Sequence, residues 1–172
     1  MKKSILLLFV AVLSFNFSAL AQESVLKFNP IGLIFGTGKV TYEKVLTEGS
    51  SVELSLTYQR IDLGEFGKVG GLGGQGKYKI YFQREAPDGW YVAPAVGYKS
   101  TKYDFSGDEG LGIKVFNVAL LFGHQWVFGD NGGFSIDINT GIKYNSVTIE
   151  GDALWAGDGT GLAGNISFGW AF

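Results

Sequence analysis

The chain has 172 residues, 46% hydrophobic and 17% charged, with a formal net charge of −2. That is the length of one domain, and the lack of a basic excess excludes nucleic acid as a partner. No Cys and one His exclude disulfide frameworks, thiol catalysis and multi-His metal sites, and no cofactor is expected.

Residues 1–21 read as a secretory signal peptide. Lys2 and Lys3 form a basic start, Ile5 to Leu13 an apolar run, and Ala19-Leu20-Ala21 a small-x-small cleavage site before Gln22. The run is short for a membrane helix. Nothing later resembles one, so a mature domain over 22–172 that enters a membrane must do so as a barrel.

The mature chain carries 27 Gly, 15% aromatics and 3 Pro, a composition that favours strands and tight turns over helices. Its apolar period is two. Strands are predicted near 25–34, 38–46, 52–61, 74–83, 90–101, 112–127, 133–147 and 160–172. Asn29-Pro30 implies a break or bulge in the first, because Pro removes a ladder donor. Val52, Leu54, Leu56 and Tyr58 alternate with Glu53, Ser55, Thr57 and Gln59, and the last strand alternates Leu162, Ile166, Phe168, Trp170 and Phe172 with small residues. Connections 47–51, 84–89 and 128–132 are short, while 62–73, 102–111 and 148–159 are long and Gly/Asp-rich. Short turns on one side and long loops on the other are the pattern of an eight-stranded antiparallel up-and-down transmembrane β-barrel. The first loop-side connection, near 35–37, is a short exception.

The lumen of an eight-stranded barrel holds side chains and little else. The bulky Phe, Tyr, Trp, Leu and Ile set must therefore point outward, where a soluble barrel would show polar residues. On this parity Trp90, Trp126 and Trp170 form an outward girdle at the periplasmic end, joined by Phe82, Phe134 and Phe172, while Tyr58, Tyr78, Tyr98 and Tyr144 form one at the external end.

The opening LKFNPIGLIFGTGKVTYEKVL, Leu26 to Leu46, with the following SVELSLTY from Ser51, resembles small outer-membrane β-barrel proteins of Bacteroidota whose shared domain has no known function. The closing NISFGWAF, Asn165 to Phe172, resembles the final strand that the barrel-assembly machinery reads in outer-membrane proteins generally, with Phe172 as the assembly signal. The resemblance implies an outer-membrane location with periplasmic termini, contact with outer-membrane lipid, and the assembly machinery as a partner during biogenesis. It supplies no catalytic or binding residues.

Gly71 to Gly76 fits G-x-G-x-x-G, but a phosphate loop needs a helix behind it, and here a strand follows. His124 is the sole candidate imidazole base. Some eight-stranded barrels that modify lipid A use His and Ser near the external leaflet. His124 falls outward at the other end, beside Trp126, which fits an interfacial role. Acidic residues in the long loops, Asp62, Asp104, Glu150 and Asp158 among them, read as a solvated rim.

Lys27, Lys39, Glu43, Glu53, Lys77, Lys79, Lys99, Asp137 and Lys143 all carry lumen parity. Glu43, Glu53 and Asp137 fall toward the periplasmic end, and Lys39, Lys77, Lys99 and Lys143 toward the external end. Isolated charges in a narrow lumen are costly. They form either a mutually neutralising plug or a narrow polar path whose upper part favours anions. The expected function is a small non-enzymatic outer-membrane barrel, supporting the envelope or contacting an outer-membrane protein partner. A narrow pore is the second expectation and a lipid-modifying enzyme the third.

Overall fold

The computed structural model describes residues 24–64, 67–83, 85–104, 110–129, 132–150 and 157–172. The leader expected over 1–21 lies outside them. The elements are β1 (Ser24–Phe28), α1 (Pro30–Ile34), β2 (Thr37–Thr47), β3 (Ser50–Asp62), β4 (Lys68–Tyr81), β5 (Gly89–Asp104), β6 (Leu111–Phe128), β7 (Gly133–Glu150) and β8 (Asp158–Ala171). The eight strands pair in chain order, each antiparallel to the next, and β1 pairs with β8 to close the barrel. We call the end with Ser24, Phe172 and the connections after β2, β4 and β6 the turn end. The opposite end is the loop end.

Antiparallel partners share a face of the sheet. In every ladder odd-numbered residues pair with odd and even with even, apart from a bulge at Thr47↔Ser50. One parity therefore holds around the ring: odd residues face the lumen and even residues face out. The outward set includes Leu54, Leu56, Leu72, Leu120, Ile142 and Leu162, all exposed. The lumen set includes Lys27, Glu43, Glu53, Lys79 and Asp137, all buried. The barrel is apolar outside and charged inside, as its alternation predicts.

Two predicted elements differ. The first strand stops at Phe28 rather than running to 34. Pro30 cannot donate to a ladder, and the Asn29 side chain accepts a hydrogen bond from Gly32 N–H at 2.8 Å, which caps a short helical turn. The long loops are also shorter than predicted, because strands run into them. β4 begins at Lys68 rather than near 74, so Gly70 to Gly73, expected in a loop, are strand. Its backbone pairs with β3 from Asp62↔Lys68 onward. A ladder needs backbone groups, not side chains, and glycine at Gly73 leaves room for Lys99 opposite, where a Cβ would come within 3.3 Å of the lysine Cβ.

Candidate functional site

The lumen at the turn end is filled by a buried ionic network. β1 supplies Lys27, β2 Glu43, β3 Glu53, β4 Lys77 and Lys79, β6 Gln125, and β7 Asp137. Strand alternation aims each at the barrel axis, and closure of the ring brings them together.

The Lys27 ammonium donates to Glu53 Oε2 at 2.9 Å, Gln125 Oε1 at 2.7 Å and Asp137 Oδ2 at 2.6 Å. The Lys79 ammonium donates to Glu43 Oε2 at 3.1 Å, Gln125 Oε1 at 2.7 Å and Asp137 Oδ2 at 2.6 Å. Each ammonium has three N–H groups, and all three are used. Ion-pair contacts complete the lattice, from Lys27 to Glu43 at 2.5 Å and from Lys79 to Glu53 at 3.3 Å. Lys77 pairs with Glu53 Oε1 at 2.6 Å, its direct neighbour across β3 and β4. Three lysines thus face three carboxylates, and the layer is neutral.

Neutral donors satisfy the remaining carboxylate oxygens. Glu43 Oε1 accepts from Tyr81 Oη–H at 2.7 Å and Ser51 Oγ–H at 2.5 Å. Asp137 Oδ1 accepts from Tyr91 Oη–H at 2.6 Å and from the Asn139 amide at 3.3 Å. The Lys79 ammonium also lies 4.3 Å from the Tyr91 ring centroid, within cation–π range. Oxygens of Glu43, Glu53 and Asp137 converge within 4.8 Å, close enough to suggest a metal site. The places a cation would take there are held by the two ammonium groups.

Lys39, Lys99 and Lys143 lie nearer the loop end. None forms an ion pair among the described residues, and Lys99 donates to the Gln59 side-chain oxygen. Lys39, Lys77 and Lys143 line a cavity of about 310 Å³ together with the amides of Asn117, Asn139 and Asn165. The lumen is thus closed by ion pairs at the turn end and open, amide-lined and cationic toward the loop end.

Two β4 positions differ in height from the sequence expectation, for one reason. Lys77 and Tyr78 were expected toward the loop end. Because β4 starts at Lys68, both lie late in the strand. Lys77 meets Glu53 in the network, and Tyr78 faces out opposite Val52 near the turn end. Trp90, Trp126 and Trp170 face out near the turn end, and Tyr58, Tyr98 and Tyr144 face out in the loop-end half. His124 packs edge-on to Trp90, with ring centroids 4.7 Å apart, and lies 4.3 Å from the Trp126 ring. Phe172 exchanges two backbone hydrogen bonds with Ser24, at 2.9 and 3.1 Å. Asp62, Lys68, Asp104, Glu150 and Asp158, expected in loops, are the end residues of strands. Glu65, Asp108, Glu109 and Asp152, also expected in the acidic rim, lie outside the described residues.

Sequence reasoning missed Gln125, Ser51, Tyr81 and Tyr91 as members of the network. Each has odd parity, and a polar tip on an inward position was the available signal. No family model, curated protein or solved structure matches the chain.

Proposed function

We propose that this chain is a small outer-membrane barrel of the kind found in Bacteroidota, without catalytic function, whose lumen is plugged. It serves as an envelope scaffold or as a subunit beside an outer-membrane protein partner. The turn end faces the periplasm and the loop end faces out. Outer-membrane lipid surrounds it, and the barrel-assembly machinery inserts it.

The observation that carries this reading is the inverted polarity of the barrel. Large apolar residues cover its outside, and a neutral buried ionic layer fills its inside. Water would be a poor solvent for that outer face, and hydrocarbon a good one. A conducting path would have to displace Lys27 and Lys79, whose ammonium groups each make three hydrogen bonds. His124 packs between the Trp90 and Trp126 rings on the outward face, which suits an interface anchor better than a general base.

Two measurements test the proposal. The protein should fractionate with outer membrane. The purified wild-type barrel should give conductance near zero in a planar bilayer, and stable single-channel steps would establish the pore reading instead.

A further inference from the structure

The wall of the barrel is not equally closed at all heights. β1 pairs with β8 through four residue pairs, from Val25↔Ala171 to Phe28↔Phe168. Over 158–167, no strand among the described residues pairs with β8 on that side. The chain that would have continued β1 turns away instead. α1 folds back on β2, so that a Cβ on Gly32 would lie 2.6 Å from the Thr37 carbonyl oxygen. A hydrogen bond from the Asn29 amide to Asn165 Oδ1, at 2.9 Å, crosses the seam just above Phe28. A free strand edge is not tolerated against hydrocarbon unless it lines a cavity or is covered.

The cavity of about 310 Å³ lies behind this seam. Its wall includes lumen-facing Lys39 and Lys143, and also Leu162 and Gly164. The last two have even numbers and belong to the outward face, and Leu162 is 83% exposed. The cavity is thus bordered along β8 by residues of both parities, at a height where β8 has no β1 partner. Its inner part is cationic, since Lys39 and Lys143 form no ion pair among the described residues. Its border on β8 carries the apolar Leu162. Leu162 lies two residues from Thr160, the partner of Tyr144, so this border lies in the loop-end half.

We propose that this seam is a side entrance for an amphiphile with one anionic headgroup, phosphate or carboxylate. The headgroup sits between Lys39 and Lys143, and the alkyl chain leaves past Leu162 and Gly164 into the bilayer. Volume decides where the chain goes. At about 30 Å³ per water, the cavity equals roughly ten waters, enough for a headgroup and a few carbons. A longer chain must lie outside, along the unpaired edge of β8, which it would shield. This rests on the membrane reading above for its orientation.

The test is titration of dodecyl phosphate into the folded barrel held in phosphatidylcholine nanodiscs, with empty nanodiscs subtracted. One molecule should bind per barrel. Inorganic phosphate should bind at least a hundredfold more weakly, and dodecyltrimethylammonium should not bind. Lys143→Gln and Lys39→Gln should each weaken binding about tenfold, since each removes a charge-assisted contact. Ala163→Phe keeps every charge but fills the cavity from an inward position, and should abolish binding. Heat-modifiable gel migration reports whether each variant is folded. The entrance is overturned by any of three results: no binding to the folded wild type, equal binding of inorganic phosphate, or binding that neither the Lys143→Gln nor the Ala163→Phe variant alters. A folded barrel that binds nothing overturns the entrance and leaves the outer-membrane reading standing. A barrel absent from the outer-membrane fraction overturns that reading whatever it binds.

Discussion

At the residue scale, Glu43 shows what holds the lumen together. Its Oε2 faces the Lys79 and Lys27 ammoniums, and its Oε1 takes the Tyr81 and Ser51 hydroxyls. Glu43→Gln keeps the shape and one acceptor oxygen. It also turns an amide or an uncharged oxygen toward two cations and leaves three lysines against two carboxylates. Breaking a well-buried pair costs roughly 3–5 kcal/mol. The expected result is a loss of that order in urea unfolding from lipid vesicles, with conductance still near zero. Adding Lys79→Met removes the orphaned charge and should restore part of the loss. Unchanged stability in the single variant would show that the network is not what closes the barrel.

At the element scale, β1 and β8 form the weakest seam, and Phe172 belongs to it. The four β1–β8 pairs are extended by the two backbone hydrogen bonds between Ser24 and Phe172. Deleting Phe172 removes both bonds and, with them, the proposed aromatic end signal. Phe172→Ala removes the ring alone. If the seam matters, deletion should reduce folded yield, read as heat-modifiable migration, more than Phe172→Ala does. Equal yields would assign the whole effect to the assembly signal. The outer face gives a second prediction. Leu120 lies mid-strand in β6, exposed and opposite Ile142 and Pro94, whereas its neighbour Ala119 faces the lumen opposite Lys143 and Ala95. Leu120→Arg should cost roughly 2–4 kcal/mol of folding into lipid, and Ala119→Ser far less. Equal costs would contradict an outward Leu120 surrounded by hydrocarbon.

At the scale of the whole molecule, the two ends of the barrel differ in chemistry. The turn end is blocked by ion pairs and tyrosines, while the loop end opens into a cationic chamber. In the proposed outer-membrane setting, orientation decides which of these the environment meets. Glu48 is exposed in the turn between β2 and β3, and Gly157 lies exposed at the loop end, where a Cβ would meet nothing within 4 Å. Gly157→Cys should react with an impermeant thiol reagent on intact cells, and Glu48→Cys only after the outer membrane is permeabilised. The reverse pattern would invert the proposed topology.

The eight-stranded barrel, the face each strand turns outward and the charged lumen were legible in the sequence, because a strand has a period of two and each of these properties is local to it. Lys27, Glu43, Glu53, Lys79 and Asp137 could be assigned inward from their immediate neighbours alone. Which of them would touch could not. Lys27 and Asp137 are 110 residues apart, and they meet because the ring closes with one particular stagger. The same holds for Lys77 and Tyr78. Their faces followed from parity, but their heights depended on where β4 begins. Local propensity reads Gly70 to Gly73 as loop, and cross-strand backbone pairing overrides it. At Asn29-Pro30 the break in β1 was visible in the missing donor, while the helical turn and the unpaired edge of β8 emerged only when the two ends of the sheet were brought together. Alternation is a property of one strand, whereas partner choice, height and seam are properties of the closed ring.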